Sequence, residues 1–320
     1  GQMSSELNKL TVLGAGVLGG QIAWHSAYMG KDVVVYDLFE EALGRCRVAH
    51  EQYSEIYRAD LGACDEQLEQ ARQRLRYSTD LADAVAQADL VIEAVPEIPE
   101  VKTQVYCRLA PLLQPHCLIA TNSSTLLPSD FAEDTGRPAQ YCALHFANLI
   151  WSMNVAEIMA HAGTAEPTLR AIAAFAIEIG MVPIPIQKPQ NGYVLNSLLV
   201  PLLGAAQTLV TNGISTPEMV DRTYMITNRG VALGPFGIMD VIGMKTCYDV
   251  LNYWGHQHSD AQTLRNAAYI KEQLIDQGKM GLQTGSGYYQ YPNPAYAAPD
   301  FLAVPGLEAV EDIVLLTRPG

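Results

Sequence analysis

The sequence predicts an α/β protein: a doubly wound, mostly parallel sheet followed by a smaller all-α C-terminal domain. Three observations predict it. Short apolar runs alternate with helical stretches through the first part of the chain. The first of those runs leads straight into Gly14-Ala15-Gly16-Val17-Leu18-Gly19. After Pro183-Ile184-Pro185 strand candidates all but cease and helical periodicity takes over. Strands alternating with helices imply a parallel sheet covered on both faces.

Taken in order, residues 10–13 form a buried strand that ends in glycines, and residues 21–29 a helix stopped by Gly30. Residues 33–36 are β-branched and apolar and close on Asp37, so they read as the second strand. Residues 39–74 have helical composition with a break near Leu61-Gly62. Strands follow at 90–94, 118–121 and 141–144, with a helix at 101–113. The domain boundary is expected near residue 187, giving domains 1–187 and 188–320. Beyond it, helices are expected at 193–211, 217–226, 236–242, 245–253 and 260–277, and the Pro-, Ala- and Tyr-rich tail after Tyr289 has no assignment.

Composition narrows the function classes. The 320 residues are 49% hydrophobic and 17% charged, enough to bury a substantial core. The net charge of −14 disfavours nucleic acid and anionic membranes as partners. The apolar stretch 193–210 is long enough to question as a membrane span, but Asn196, Ser197, Pro201 and Gln207 within it favour a buried helix. The six cysteines form no Cys-x-x-Cys pair and no zinc-spaced cluster, so no metal site is expected. Buried reduced thiols and a polar N-terminus without signal-peptide pattern point to a cytoplasmic protein.

The glycine run matches Gly-x-Gly-x-x-Gly in the context that gives it meaning: strand before, helix after, second strand ending in an acid. Gly14 permits the tight turn, Gly16 lets backbone approach a pyrophosphate, and Gly19 allows close helix–strand packing. Val17 and Leu18 place their N–H groups at the positive end of the helix. Asp37 can accept hydrogen bonds from both adenosine ribose hydroxyls and would repel a 2′-phosphate, so NAD is favoured over NADP. A structural turn with a capping acid is the plainer alternative, and flavin is a rival ligand. The whole is a Rossmann-type dinucleotide-binding pattern.

Further segments follow in order. They include Val91-Ile92-Glu93-Ala94-Val95-Pro96-Glu97, Thr121-Asn122-Ser123-Ser124, His145-Phe146-Ala147-Asn148 and Ala156-Glu157-Ile158. Asn191-Gly192-Tyr193-Val194-Leu195-Asn196, Gly234-Pro235-Phe236 with Asp240 and Gly243, and the run from Gly281 to Tyr289 complete the set. With these segments the chain resembles the short-chain L-3-hydroxyacyl-CoA dehydrogenase family, which includes the bacterial 3-hydroxybutyryl-CoA dehydrogenases. The resemblance spans nearly the whole chain. It implies NAD-dependent oxidation of a short-chain L-3-hydroxyacyl-CoA, the same two-domain plan, and a homodimer formed through the helical domain.

Oxidising a secondary alcohol needs a hydride acceptor and a base for the hydroxyl proton, and imidazole suits the base. His145 ends a strand on the cofactor side of the sheet. A lone histidine is more often structural, but its place in the His-Phe-x-Asn segment favours catalysis. Glu157 matches the family's glutamate and would fix the tautomer of His145 and stabilise its charged form. Its apolar neighbours argue against an ordinary surface glutamate. Ser124 and Asn196 match residues that contact the reacting oxygen, where Ser124 could otherwise be a turn residue and Asn196 a helix hydrogen-bonder. Lying in an apolar helix, Asn196 is expected to have a hydrogen-bond partner. By the same resemblance Asn122 falls at the family's position near the nicotinamide ribose, Asn148 matches the asparagine that follows the catalytic histidine, and Glu97 and Lys102 match residues that line the cofactor site, unless they are an exposed helix-start pair.

The chain departs from the family's pattern at several places. Ala147 replaces an aromatic residue, Leu149 a proline, Ser197 an arginine, Gln283 a lysine and Ile98 an asparagine. Between Phe39 and Arg76, where CoA-using members carry lysines, this chain has none, yet it has Arg45, Arg47, Arg58, Arg72, Arg74 and Arg76. These could bind phosphates or pair with Glu51, Glu55, Glu66 and Glu69. A dehydrogenase of a free hydroxy acid, resembling L-gulonate or carnitine dehydrogenases, is therefore the alternative function.

Overall fold

The computed structural model describes residues 4–305, 307–309 and 312–313. The chain divides into two compact units, Gly1–Ser197 and Leu198–Gly320.

The first unit carries β1 (Lys9–Leu13), α1 (Val17–Tyr28), β2 (Asp32–Tyr36), α2 (Glu40–Leu61), α3 (Asp65–Gln73), β3 (Leu75–Ser78), α4 (Leu81–Val85) and β4 (Leu90–Glu93). It continues with α5 (Pro99–Leu109), β5 (Leu118–Thr121), β6 (Tyr141–Phe146), β7 (Val155–Met159), α6 (Glu166–Glu178) and β8 (Val182–Pro185). The eight strands form one sheet in the order β3-β2-β1-β4-β5-β6-β7-β8. All neighbours are parallel except β6 and β7, which run antiparallel. The order reverses between β1 and β4, and at such a switch point the strand carboxyl ends open a ligand crevice.

The central strands are apolar on both faces because both are covered. Val12, Ile92, Ala120 and Leu144 face a core with Ile22 and Ala23 of α1, Leu43 of α2 and Phe175 of α6. Leu13, Val91, Ile119 and Tyr141 face the opposite core with Val85 of α4 and Tyr106 and Leu109 of α5. This period of two is the pleat of a strand buried on both sides. Each valine, leucine, isoleucine or phenylalanine among them contributes roughly 1.5–3 kcal/mol through burial. Helix α2 ends at Gly62 in the left-handed conformation (φ +66°), at the expected break.

Three strands have no counterpart in the sequence expectations. β3 (Leu-Arg-Tyr-Ser) and β8 (Val-Pro-Ile-Pro) are short edge strands, and β7 is short and interrupted by Glu157. In β8 the prolines remove two N–H donors, which an edge tolerates. The first unit also runs past the break expected near residue 187, to Ser197. The reason is tertiary: Gly192 donates to the Ser124 carbonyl and the Tyr193 hydroxyl to the Ser123 carbonyl, so the segment after β8 stays with the sheet. Cys64 and Cys107 are exposed, unlike the buried thiols expected; the other four cysteines are buried.

Helix α7 (Leu195–Thr211) leads into the second unit, which adds α8 (Pro217–Thr227), α9 (Pro235–Ile242), α10 (Met244–Gln257) and α11 (Ala261–Gln273). Among the described residues no helix is long and apolar enough to cross a membrane. Leu203, Val210, Phe236, Met239, Leu251 and Ile270 form the core of this unit. Two buried carboxylates tie its parts together. Asp221 of α8 accepts the N–H groups of Phe236 and Gly237, at 2.8 and 2.9 Å, and the Tyr289 hydroxyl. Asp240 of α9 accepts the N–H groups of Tyr288 and Tyr289 and the Tyr291 hydroxyl. The tail after Tyr289 runs through turns and a short 3-10 helix, Ala295–Ala297, and Arg222 donates to the Phe301 carbonyl.

Burial pushes the Asp221 carboxyl up to about 6, against its three donors and with the charge of Asp240 adding to the rise. The folded unit therefore holds this proton at pH values where the unfolded chain has released it. Asp221 makes the unit more stable as pH falls from 7 towards 5. In urea titrations at both pH values, wild type should gain stability on acidification relative to Asp221→Asn. Equal gains in the two proteins would show that Asp221 is already ionised at pH 5.

Candidate active site

The loop between β1 and α1 is shaped by contacts that only glycine permits. Gly14 has φ +106°, and a Cβ there would lie 2.4 Å from the Ala94 carbonyl oxygen. A Cβ on Gly19 would lie 2.2 Å from the Gly14 carbonyl oxygen. At Gly16, by contrast, a Cβ would meet nothing within 4 Å, so the backbone there faces open space. Gly16 is also the N-cap of α1 and supplies no capping side chain. The first N–H groups of α1 and its positive dipole end thus face a cradle that suits a phosphate.

Asp37 follows β2 and is half-buried. Its Oδ2 accepts the Ala15 N–H at 2.9 Å and its Oδ1 the Phe39 N–H at 3.0 Å. The carboxylate braces the glycine loop, and each oxygen keeps lone-pair capacity for a ribose hydroxyl. An open backbone cradle, an uncapped helix and a half-exposed acid fit a dinucleotide.

Beneath this crevice lies a buried ionic chain. Glu93 ends β4 fully buried, accepting the Tyr106 and Thr121 hydroxyls through Oε1 and the Val95 N–H and Lys102 ammonium through Oε2. Lys102 is 1% exposed and also reaches Glu97 at 3.0 Å. It is therefore neither an exposed helix-start residue nor a free cation facing a ligand; its charge supports Glu97 from below. Glu97 in turn accepts the Ser123 and Thr125 hydroxyls. Burial alone would raise its pKa, but Lys102 and these hydroxyls hold it below the usual carboxylate value. Asn122 turns its carbonyl oxygen to the Phe146 N–H at 2.9 Å, which leaves its NH₂ group without a partner among the described residues.

The antiparallel register of β6 and β7 sets His145 opposite Glu157. Nδ1 of His145 lies 3.0 Å from Oε1 of Glu157, and both residues are buried. Oε2 of Glu157 accepts the N–H groups of Val194 and Leu195, at 2.8 and 2.9 Å. Burial pushes the Glu157 carboxyl up, yet His145 and these two N–H groups bring it below the ordinary value. An ionised Glu157 accepts a hydrogen bond from Nδ1–H, a tautomer in which Nε2 of His145 presents a lone pair. Nε2 has no hydrogen-bond partner among the described residues.

Ser124 and Asn196 are half-buried. The Ser124 carbonyl accepts the Gly192 N–H, and Asn196 donates its N–H to the Gly192 carbonyl, so both side chains rise from one bonded cluster. The hydrogen-bond partner expected for the Asn196 amide is not found among the described residues. Partial exposure at the first turn of α7 removes the desolvation cost on which that expectation rested. Asn148 is half-buried in the loop after β6, where Gln21 of α1 accepts the N–H groups of Leu149 and Ile150. Leu149, in the place of a proline, takes φ +60°.

Three residues that build the site were not singled out from sequence: Glu93, Gln21 and Tyr193. Glu93 carried a signal, as a charge at the end of an apolar strand needs a buried partner. Gln21 and Tyr193 carried none, because their partners are remote in sequence.

The arginines of the α2–α3 region are largely occupied. Arg58 pairs with Asp65 and Glu55, Arg72 with Glu51 and Glu69, and Arg76 with Asp83. Arg47 pairs with Glu40 and lies over the Tyr77 ring, while Arg74 donates to the Ala27 carbonyl. Among the described residues Glu66 bonds Gln70 and no arginine, and Arg45 has no carboxylate partner. No group of three or more His, Cys, Asp or Glu side chains suited to a metal ion occurs among the described residues.

Residues 9–189 match the model of the 3-hydroxyacyl-CoA dehydrogenase NAD-binding domain, and residues 192–291 that of the family's C-terminal domain. The chain belongs to the 3-hydroxyacyl-CoA dehydrogenase family. It is accordingly an NAD-dependent oxidoreductase, and the cradle at Gly16 and the acid at Asp37 are the features that fit the cofactor. A probable 3-hydroxybutyryl-CoA dehydrogenase of Deinococcus radiodurans is 30% identical over 284 residues, covering 88% of this chain and all of that one. The human mitochondrial hydroxyacyl-coenzyme A dehydrogenase is 31% identical over 291 residues, 88% of this chain and 90% of its own. Among solved structures, a diketoreductase described as acting on dicarbonyl compounds is 44% identical, with a TM-score of 0.78 over 91% of this chain and 100% of its own.

Asp37→Ala is expected to weaken NADH binding by about tenfold and to narrow the preference for NADH over NADPH. Fluorescence titration with both cofactors measures this. An unchanged NADH/NADPH ratio would confine Asp37 to bracing the loop.

Proposed function

We propose that the chain oxidises a short-chain L-3-hydroxyacyl-CoA, such as 3-hydroxybutyryl-CoA, to the 3-oxo thioester and catalyses the reverse, with His145 as base and acid. The observation that carries this reading is the His145–Glu157 pair, bonded through Nδ1 with Nε2 left open. In oxidation the substrate hydroxyl donates its proton to Nε2 of His145. Bound NAD⁺ supplies the hydride acceptor. As His145 becomes an imidazolium, ionised Glu157 stabilises the new charge and holds the ring in place. In reduction the proton on Nε2 passes to the carbonyl oxygen. The Ser124 hydroxyl and Asn196 amide donate to that oxygen as negative charge gathers there. Asn122 and Glu97 border the cofactor, with Gly14, Gly16, Val17, Leu18 and Gly19 at its phosphates. Lys102 serves this set through Glu97. A homodimer formed through the helical unit is part of the same proposal.

A second reading has a specific observation in its favour. CoA is a polyanion and needs uncompensated cations, whereas Arg47, Arg58, Arg72 and Arg76 already face carboxylates. The 44%-identical diketoreductase acts on dicarbonyl compounds, and a 3-oxoacyl thioester is itself a 1,3-dicarbonyl. On this reading the chemistry is the same and the acyl carrier is dispensable.

NADH consumption with acetoacetyl-CoA, beside free acetoacetate and a simple β-diketone, separates the two. Turnover confined to the thioester supports the first reading, and comparable turnover of the β-diketone the second. Absence of turnover with all three would overturn the proposed reaction. His145→Gln should lower kcat by about 10³-fold or more and Glu157→Gln by about 10²-fold, with NADH affinity retained. Loss of NADH binding in His145→Gln would reassign His145 to structure.

A further inference from the structure

Tyr193 lies outside the hydrogen-bonded pair but covers its imidazole, while the residues beside it in the chain reach the carboxylate. Its ring stacks on the imidazole of His145, with centroids 4.7 Å apart and planes 12° from parallel. Its hydroxyl donates to the Ser123 carbonyl at 2.7 Å. The next two residues give their N–H groups to Glu157, and the preceding Gly192 gives its own to the Ser124 carbonyl. Asn191 adds a side-chain bond to the Thr125 carbonyl at 2.6 Å. Residues 191–195 thus hold the base, its carboxylate and the loop that carries Ser124. Tyr193 does so with φ +55°, a conformation that a bulky L residue keeps only where its surroundings impose it.

A hydrogen bond at Nδ1 fixes one atom of an imidazole and leaves the ring free to roll, because the terminal torsion of histidine is broad. A flat contact on the ring face removes that freedom. We infer that Tyr193 is a positioning residue for the reaction: its stacked ring fixes the plane of His145. This inference rests on the reading of His145 as the base.

Three variants test it. Tyr193→Phe keeps the ring and loses the hydroxyl; Tyr193→Leu loses the ring; Tyr193→Met, unbranched and ringless, replaces the leucine variant should that one not fold. The phenylalanine variant should keep kcat within about threefold, and the ringless variants should lose about tenfold or more. NADH Kd should stay within about twofold throughout, since the stack bears on the base and not on the cofactor. A folded ringless variant with wild-type kcat would overturn the inference. So would a loss of kcat matched by an equal loss of NADH affinity, which marks general structural damage. His145→Gln, run alongside, separates the two levels. Wild-type turnover in that variant would overturn the base assignment itself, and with it the role of Tyr193.

Discussion

The antiparallel return of β7 along β6 is the constraint on which the site depends. Every other neighbouring pair in the sheet is parallel. A parallel neighbour needs a crossover of about a dozen residues or more. Residues 147–154 are too few for that, so the chain turns back at once and lays Glu157 directly opposite His145. A shift of one residue in this register would send the carboxylate to the other face of the sheet. The pairing of base and carboxylate is therefore a property of strand direction and loop length together.

Burying that carboxylate costs free energy unless donors meet it, and the segment after β8 supplies them. Val194 and Leu195 bond Glu157, Tyr193 covers His145, and Gly192 joins the Ser124 loop. The same device recurs under the cofactor crevice, where Glu93 is buried against a lysine, two hydroxyls and an N–H group. In the helical unit Asp221 and Asp240 repeat it with backbone N–H groups and hydroxyls, and with no cation among the described residues. Each buried acid replaces water with several fixed donors, and in doing so pins together segments distant in sequence.

Much of the fold was legible because its signals are local. The strand at Leu118–Thr121 and the helix break at Gly62 stand where apolar runs and a glycine put them. The edge strands β3 and β8 were not legible, since short half-polar segments become strands only when a neighbour offers its hydrogen-bonding edge. The compact units part at Ser197 and not near residue 187 because Tyr193 is held by Ser123, seventy positions away. The burial of Lys102 could not be read from its place near a helix start, because it follows from Glu93.

By itself the sequence determined the alternation of the central strands with helices, the glycine loop that only small residues can form, the acid after β2 and the residue types able to move a proton. Those depend on steric limits, hydrophobic periodicity and intrinsic chemistry, all of which act within a few residues. Only the tertiary structure decided which groups meet: His145 with Glu157, Tyr193 over His145, and the arginines of α2 and α3 with carboxylates. These pairings are set by strand register and by the donors that burial demands, and both are satisfied between segments that lie far apart in the chain.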